Sequence, residues 1–223
     1  MRVEMTAAFP LVPAAQGLLV VDMQNDFVRE GAPQEVPDAR AMIPTVRKLI
    51  DAFRAAERPI FYTRFLAGPK KTLMWAWSPE CGEEKRSCWP GHFRRYRDRD
   101  EELEGPVIAD ELTPEPDDVV IDKYGYGGFH NTCLEDALRA RHVTQVVTCG
   151  TVTQICVEET VREGFHHNLE MVVVRDAVAS FDPELHAGTL RNLAMKFGVV
   201  KSSDEVVSAL RDIRPDVALR KGA

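Results

Sequence analysis

No stretch of this sequence stays apolar for the ~20 residues that a membrane-spanning helix requires, so a helical membrane protein is excluded as a reading. Basic residues are in deficit. Lys plus Arg number 28 and Asp plus Glu 35, which gives 28 − 35 = −7, and the pI lies near 5.4. A net acidic chain is a poor partner for nucleic acid or for an anionic membrane surface. Cysteine is sparse: Cys81, Cys88, Cys133, Cys149 and Cys156. An odd, dispersed set does not make a disulfide framework and points to a reducing compartment. The opening stretch MRVEMTAAFPLVPAAQ carries Glu4 early and has only a weak apolar run. It lacks a secretory pattern, and the expectation is a cytoplasmic protein. Repeats and low-complexity tracts are absent. The six histidines, His92, His130, His142, His166, His167 and His186, show no spacing that suits a metal. The adjacent pair His166 and His167 reads as surface or as a helix C-cap.

What is present is a strand–helix alternation. The chain has 223 residues and is 44% hydrophobic, enough for one domain of ordinary α/β size over 1–223. GLLVVD (17–22) is a short continuous apolar run, typical of a strand buried on both faces. RPIFYTRF (58–65), DDVVID (117–122), TQVVTCG (144–150), LEMVVVRDA (169–177) and GVVKS read as further strands. Helical spacing fills 40–57, 131–142, 154–168, 183–197 and 203–211. Asn131 or Thr132 is a plausible N-cap for the second of these helices. The predicted fold class is α/β, a three-layer α/β/α sandwich with a mainly parallel, Rossmann-like sheet of about six strands. Residues 66–116 break the alternation. A segment that long without periodicity is functional in most α/β domains, here as part of the pocket or of an oligomer interface. Within it, FRRYRDRD reads as a solvated, self-paired helix face.

Ligands of open parallel sheets sit beyond the carboxyl ends of the strands. Three chemically capable residues fall there: Asp22 after the first strand, Lys123 after the third, and Cys156 in the turn after the fourth. A nucleophilic thiol needs a base for its proton and a cation to steady the thiolate. The following helix adds its N-terminal dipole in favour of the thiolate. Each residue also has a plain role. Asp22, and equally Asp26, caps a turn; Lys123 is a solvated loop lysine; Cys156 is a small buried hydrophobe. Position and chemistry alone leave both accounts open.

The stretches LLVVDMQNDF, DKYGYGGFHNT and TCGTVTQICVEETVREGF, in that order, resemble the isochorismatase-like cysteine hydrolases. The likeness runs from about Gly17 to Val200. It implies a catalytic triad of Asp22, Lys123 and Cys156 with no cofactor. It also implies a cis peptide between Thr151 and Val152, and an oxyanion hole from the Val152 and Cys156 N–H groups. Thr153 would support that turn, or serve as a helix N-cap. Isochorismatases proper resemble the chain but generally lack the cysteine, so Cys156 points to amide hydrolysis. Nicotinamidases carry an Asp-x-His metal motif after the second strand. Here that stretch reads FYTRFLAG, without Asp or His, and no metal is expected.

GFHNTCLEDALRARH and CVEETVREGF are similar to the branch that acts on ureidoacrylate, biuret and N-carbamoyl compounds, with a departure at His130. The implied activity is hydrolysis of the C–N bond of a small amide, ureido or carbamoyl compound through a thioester-type intermediate. The alternatives are a vinyl-ether hydrolase, or an inactive scaffold of the same fold. The implied partners are a small-molecule amide and further copies of the chain, as a dimer or tetramer. Candidate substrate contacts are Gln24, Phe27, Tyr124, Tyr126, Phe129, Asn131, Trp75 and Trp77. Arg64, Arg94 and Arg95 are candidates for binding a substrate carboxylate. Cys149, inside its strand, is expected to be buried and inert.

Overall fold

The computed structural model describes residues 9–211. The N-terminal reading therefore rests partly on residues 1–8, which lie outside the described part. The elements in chain order are β1 (Gln16–Val21), α1 (Asn25–Val28), α2 (Pro37–Ala55), β2 (Ile60–Phe65), α3 (Met74–Trp77), β3 (Phe93–Arg95), β4 (Glu102–Glu104) and β5 (Val119–Lys123). They continue with α4 (Leu134–Ala140), β6 (Gln145–Thr151), a π-helical turn over Thr153–Val157, α5 (Glu158–His166), β7 (Glu170–Ala179), α6 (Pro183–Lys196), β8 (Val199–Lys201) and α7 (Ser203–Arg211). No helix among the described residues is long and apolar enough to cross a membrane.

Six strands form one sheet in the order β5-β2-β1-β6-β7-β8. Every neighbouring pair is parallel. Strand order therefore reverses between β1 and β6, and the crevice of a doubly wound sheet opens at that point. β1 is buried along its whole length. Its alternate residues serve opposite layers, as the two-residue period of a strand dictates. Leu18 and Val20 pack with Val46, Leu49, Ile50 and Phe53 of α2. Leu19 and Val21 pack with Leu134 and Leu138 of α4 and Val161 of α5.

Three local expectations are corrected. The helix read over 131–142 begins only at Leu134, because Asn131 takes a left-handed φ of 54°. Thr132 still serves its start, its Oγ1 accepting from the Leu134 N–H at 3.2 Å. The helix read from 154 opens as a π turn. FRRYRDRD is no helix face. Phe93–Arg95 form a strand paired antiparallel with Glu102–Glu104.

The reason lies in Asp26, which is fully buried. Arg94 and Tyr96 are two residues apart and so share one face of the extended chain; both reach this carboxylate. The Arg94 Nε stands 3.0 Å from Oδ1, and the Tyr96 hydroxyl donates to it at 2.7 Å. The Cys88 N–H donates to Oδ2 at 2.6 Å. Asp26 also donates its own N–H to Gly105 O at 3.0 Å, and a Cβ at Gly105 would stand 2.1 Å from Oδ2. Asp26 thus fastens the irregular segment to the end of β1. Burial drives the Tyr96 hydroxyl far above its usual range, with Asp26 adding to it.

Gly150 permits the close approach of β6 to β1. Its φ is 117°, and a Cβ there would lie 2.0 Å from the Val21 carbonyl oxygen. Gly150→Ala should therefore lower the thermal midpoint by on the order of 10 °C, given a backbone strain of about 3 kcal/mol before any clash. A melt within about 2 °C of wild type contradicts this account. Asp26→Ala strands a guanidinium, a phenol and an N–H together, and should cost about 3–5 kcal/mol. Limited proteolysis should then cut first within residues 80–105; an unchanged cleavage pattern contradicts the anchoring role.

Candidate active site

β1 ends at Val21, and Asp22 follows with a left-handed φ of 49°. That conformation is unfavourable for a non-glycine residue. Neighbouring strands hold it: the Asp22 N–H donates to Thr63 O at 3.3 Å, and the Thr151 hydroxyl donates to Asp22 O at 3.0 Å. The Thr63 hydroxyl donates to Asp22 Oδ1 at 2.7 Å. Lys123, the last residue of β5, pairs in register with Phe65 of β2. Its Nζ stands 2.8 Å from Asp22 Oδ2, and both side chains are fully buried. The ammonium also donates to the carbonyls of Gly125 and Tyr126, each at 2.9 Å, and lies 5.1 Å from the Phe65 ring centroid. Oδ2 forms no hydrogen bond of proper geometry in the protein, so it is the oxygen with capacity for a proton.

Burial by itself would lower the Lys123 pKa, but the Asp22 carboxylate and Cys156 outweigh it and hold the ammonium above its ordinary value. Cys156 is the third member of this group. Burial pushes its thiol up to about 12; Lys123 opposes that and Asp22 reinforces it. At rest the site is an ion pair beside a neutral thiol. The dipole and lysine that would favour a thiolate are overridden by desolvation. Cys149 is also buried, and desolvation alone raises its thiol well above the ordinary range. All five cysteines are free.

The turn carrying Cys156 is tied to the lysine loop. The Thr160 hydroxyl donates to Cys156 O at 2.6 Å, and Gly128 N–H donates to Thr160 Oγ1 at 2.9 Å. Phe129 N–H donates to Glu163 Oε2 at 2.8 Å. A Cβ at Gly127 would stand 2.2 Å from that glutamate oxygen. The Thr151–Val152 peptide is cis. Ile155 and Val157 both donate to Val152 O, at 3.0 and 3.2 Å, while the Val152 and Cys156 N–H groups have no partner among the turn and loop backbone bonds. Thr153 caps nothing; its hydroxyl meets His186 Nδ1 at 2.9 Å. His167 is the C-cap of α5 and its Nδ1 lies 2.9 Å from Glu135.

A cavity of about 750 Å³ opens over Cys156, a size that suits a small molecule. Phe27, Tyr126 and Trp77 line it, joined by Phe65, Gln154 and Phe181. The other five candidate contacts do not. Gln24 is buried and holds backbone, donating to Phe65 O at 2.9 Å and accepting from Phe65 N–H at 2.7 Å. Trp75 stacks on Trp89 at 5.5 Å and donates to Ala67 O. Phe129 stacks on His167 at 5.0 Å. Tyr124 and Asn131 are exposed away from the cavity. Arg64 pairs with Asp122, Arg94 with Asp26, and Arg95 is exposed on β3; none lines the cavity. Thr63, Phe65, Gln154 and Phe181 were not singled out from sequence. Only Gln154 carried a signal, as a polar residue two positions before the thiol. Among the described residues, no cluster of three or more His, Cys, Asp or Glu is placed to hold a metal ion.

The isochorismatase domain profile matches residues 16–205. The chain belongs to the isochorismatase family. Within that family it is 35% identical to a ureidoacrylate amidohydrolase of Methylobacterium radiotolerans, over 90% of this chain and 81% of that protein. It is 30% identical to another of the same name from Agrobacterium fabrum, over 92% and 94%. Among solved structures it is similar to a cysteine hydrolase from Pseudomonas syringae pv. phaseolicola, with a TM-score of 0.81, 28% identity, and coverage of 92% and 96%. It is also similar to N-carbamoylsarcosine amidase from Thermoplasma acidophilum, with a TM-score of 0.69, 29% identity, and coverage of 85% and 96%.

A thiol raised to about 12 is almost wholly protonated at neutral pH. Alkylation of Cys156 by a haloacetamide should keep accelerating from pH 7 to 10, whereas an ordinary thiol levels off above about 8.5. Peptide mapping of the alkylated protein reads this directly. A plateau for Cys156 near pH 8 to 9 would show that burial does not dominate.

Proposed function

We propose that this isochorismatase-family protein is a cysteine-dependent amidohydrolase that cleaves the C–N bond of small amide, ureido or carbamoyl compounds. The observation that carries the reading is the buried Asp22–Lys123 ion pair beside Cys156, at the base of a cavity of small-molecule size. The amidohydrolases and the amidase among its relatives support it.

The chemistry follows from charge. Moving the Cys156 proton to Asp22 Oδ2 converts thiol plus carboxylate into thiolate plus carboxylic acid. The net charge of the buried group stays zero, so no new charge is buried. Lys123 remains an ammonium and steadies whichever neighbour is the anion. The thiolate adds to the carbonyl carbon, and the backbone N–H groups of Val152 and Cys156 receive the oxyanion; one such donor is worth about 10²–10³ in rate. Asp22, now protonated, gives its proton to the leaving nitrogen as the C–N bond breaks. The acyl group stays on sulfur as a thioester, or as a thiocarbamate where a ureido group has been attacked. Water then adds to that carbonyl while Asp22 takes its proton. Collapse expels the thiolate, which recovers a proton from Asp22, and the cycle closes with no cofactor.

Cys156→Ala should abolish ammonia release from any accepted amide. Asp22→Asn should lower kcat/KM by about 10²–10⁴, with the fold verified by circular dichroism. Intact-mass spectra of wild type quenched during turnover should show one acyl group, absent in Cys156→Ala. A Cys156→Ala variant within about tenfold of wild type would overturn the covalent route.

A further inference from the structure

The cavity above Cys156 has aromatic walls that the bond-breaking steps leave unused. Phe27, Phe65 and Tyr126 line it. They form a continuous row, with ring centroids 6.4 Å apart from Phe27 to Phe65 and again 6.4 Å apart from Phe65 to Tyr126. Trp77, at the end of α3, and Phe181, just after β7, line the same cavity. Phe27 and Phe65 are buried, but Trp77 is 81% exposed and Phe181 58%. Large aromatic faces left in water forgo the stabilisation that burial gives, and an apolar group bound against them recovers it. The carboxylates of the wall are mostly engaged by the protein: Glu35 by Arg40, Glu80 by Lys85 and Glu158 by Arg162.

The side of Cys156 that carries the proton chemistry is closed. Asp22 and Lys123 are fully buried, as are Thr63 and Thr151 beside them, and none of the four lines the cavity. The leaving nitrogen must come to Asp22 to receive its proton. It therefore sits where there is room for its hydrogens and little more. The substituent on the other side of the carbonyl is the one that extends into the open cavity. At about 750 Å³, that space suits a ligand of many heavy atoms, far more than an amide group alone provides.

We propose that the substrate is a primary amide whose acyl chain ends in an aromatic ring or an apolar group of similar bulk, seated against Trp77 and Phe181, and that ammonia is the leaving group. The Cys156 sulfur bonds to the carbonyl carbon, and the C–N bond breaks as Asp22 gives its proton to nitrogen. Water then releases the chain as a carboxylic acid and restores the thiol. Trp77 and Phe181 select the chain without meeting the reacting atoms. This substrate class rests on the amidohydrolase reading and narrows it.

The test is hydrolysis by the wild-type protein of acetamide, butanamide, hexanamide and 3-phenylpropanamide, read as ammonia release. kcat/KM should rise several-fold per added methylene. 3-Phenylpropanamide should stand on the order of a hundredfold above acetamide. Its isomer N-benzylacetamide carries the ring on the leaving nitrogen, and benzylamine release from it should be about a hundredfold slower or worse. Trp77→Ala and Phe181→Ala should each lower kcat/KM for 3-phenylpropanamide about tenfold, chiefly through KM, and for acetamide by less. Trp77→Phe, which keeps a ring, should retain most of the preference. Both positions are exposed, so the variants should fold, and circular dichroism checks this. Acetamide turned over as fast as 3-phenylpropanamide overturns the proposal and leaves the amidohydrolase reading intact. N-benzylacetamide as fast as its isomer, or an unchanged preference in both alanine variants, does the same. A preference unchanged in the double variant while its sedimentation mass falls assigns the two aromatics to contact between copies, and also overturns the proposal. Turnover of no amide or ureide, with no acyl group on Cys156, overturns both.

Discussion

The buried contact between Asp22 and Lys123 is the constraint around which the site is arranged. Two opposite charges with no solvent exposure are expensive to desolvate, and their attraction compensates only when the remaining hydrogen-bonding capacity is met. Here it is met for Lys123 and for Oδ1 of Asp22, while Oδ2 keeps capacity for a proton. Thr63 on β2 serves Oδ1 of Asp22, while the Gly125 and Tyr126 carbonyls and the Phe65 ring serve Lys123. β1, β2 and β5 must therefore end at the same level. The loop after Lys123 must double back, and Gly127 within it leaves room for Glu163. Loss of either partner would leave an unpaired charge in the interior.

The same constraint explains why a hydrophobically buried cysteine is compatible with chemistry. Burial makes Cys156 a poor free nucleophile, with its thiol pushed up to about 12. A lone thiolate would be a third buried charge. Beside an existing ion pair, the thiolate arises by an exchange of one proton inside a neutral group. The energetic question changes from placing a charge in the interior to moving a proton between neighbours. An ordinary structural cysteine such as Cys149 has no such neighbour, and desolvation is the sole cause of its shift.

Much of this was legible in the chain. β1 and β6 read as apolar runs because a parallel strand covered on both faces has no polar alternation. Once those strands were placed, the rule that ligands sit beyond strand ends put Asp22, Lys123 and Cys156 at one edge. What failed to be legible depended on partners far away in sequence. Asp26 looked like a turn cap because Cys88, Arg94 and Tyr96 lie 62 to 70 residues on. Those partners also favour the extended chain at Phe93–Arg95, for an extended chain presents Arg94 and Tyr96 to one carboxylate. The π turn was hidden too, because its residues would equally fill a regular helix. Aromatic type carried no direction: Tyr126 faces the cavity, whereas Phe129, three residues later in the same glycine loop, packs on His167.

Catalysis and selection are divided between different parts of the fold. The reacting groups stand on the ends of β1 and β5 and in the turn after β6, held by the most buried part of the sheet. Phe65 and Tyr126 border both Lys123 and the cavity, but much of the remaining wall comes from the exposed flank of the π turn and α5, from Trp77 to Glu80 in the irregular segment, and from Phe181 after β7. These walls share few hydrogen bonds with the triad, so their charge is free to vary without disturbing the ion pair. A glutamate at 159 costs the fold little, because it is exposed.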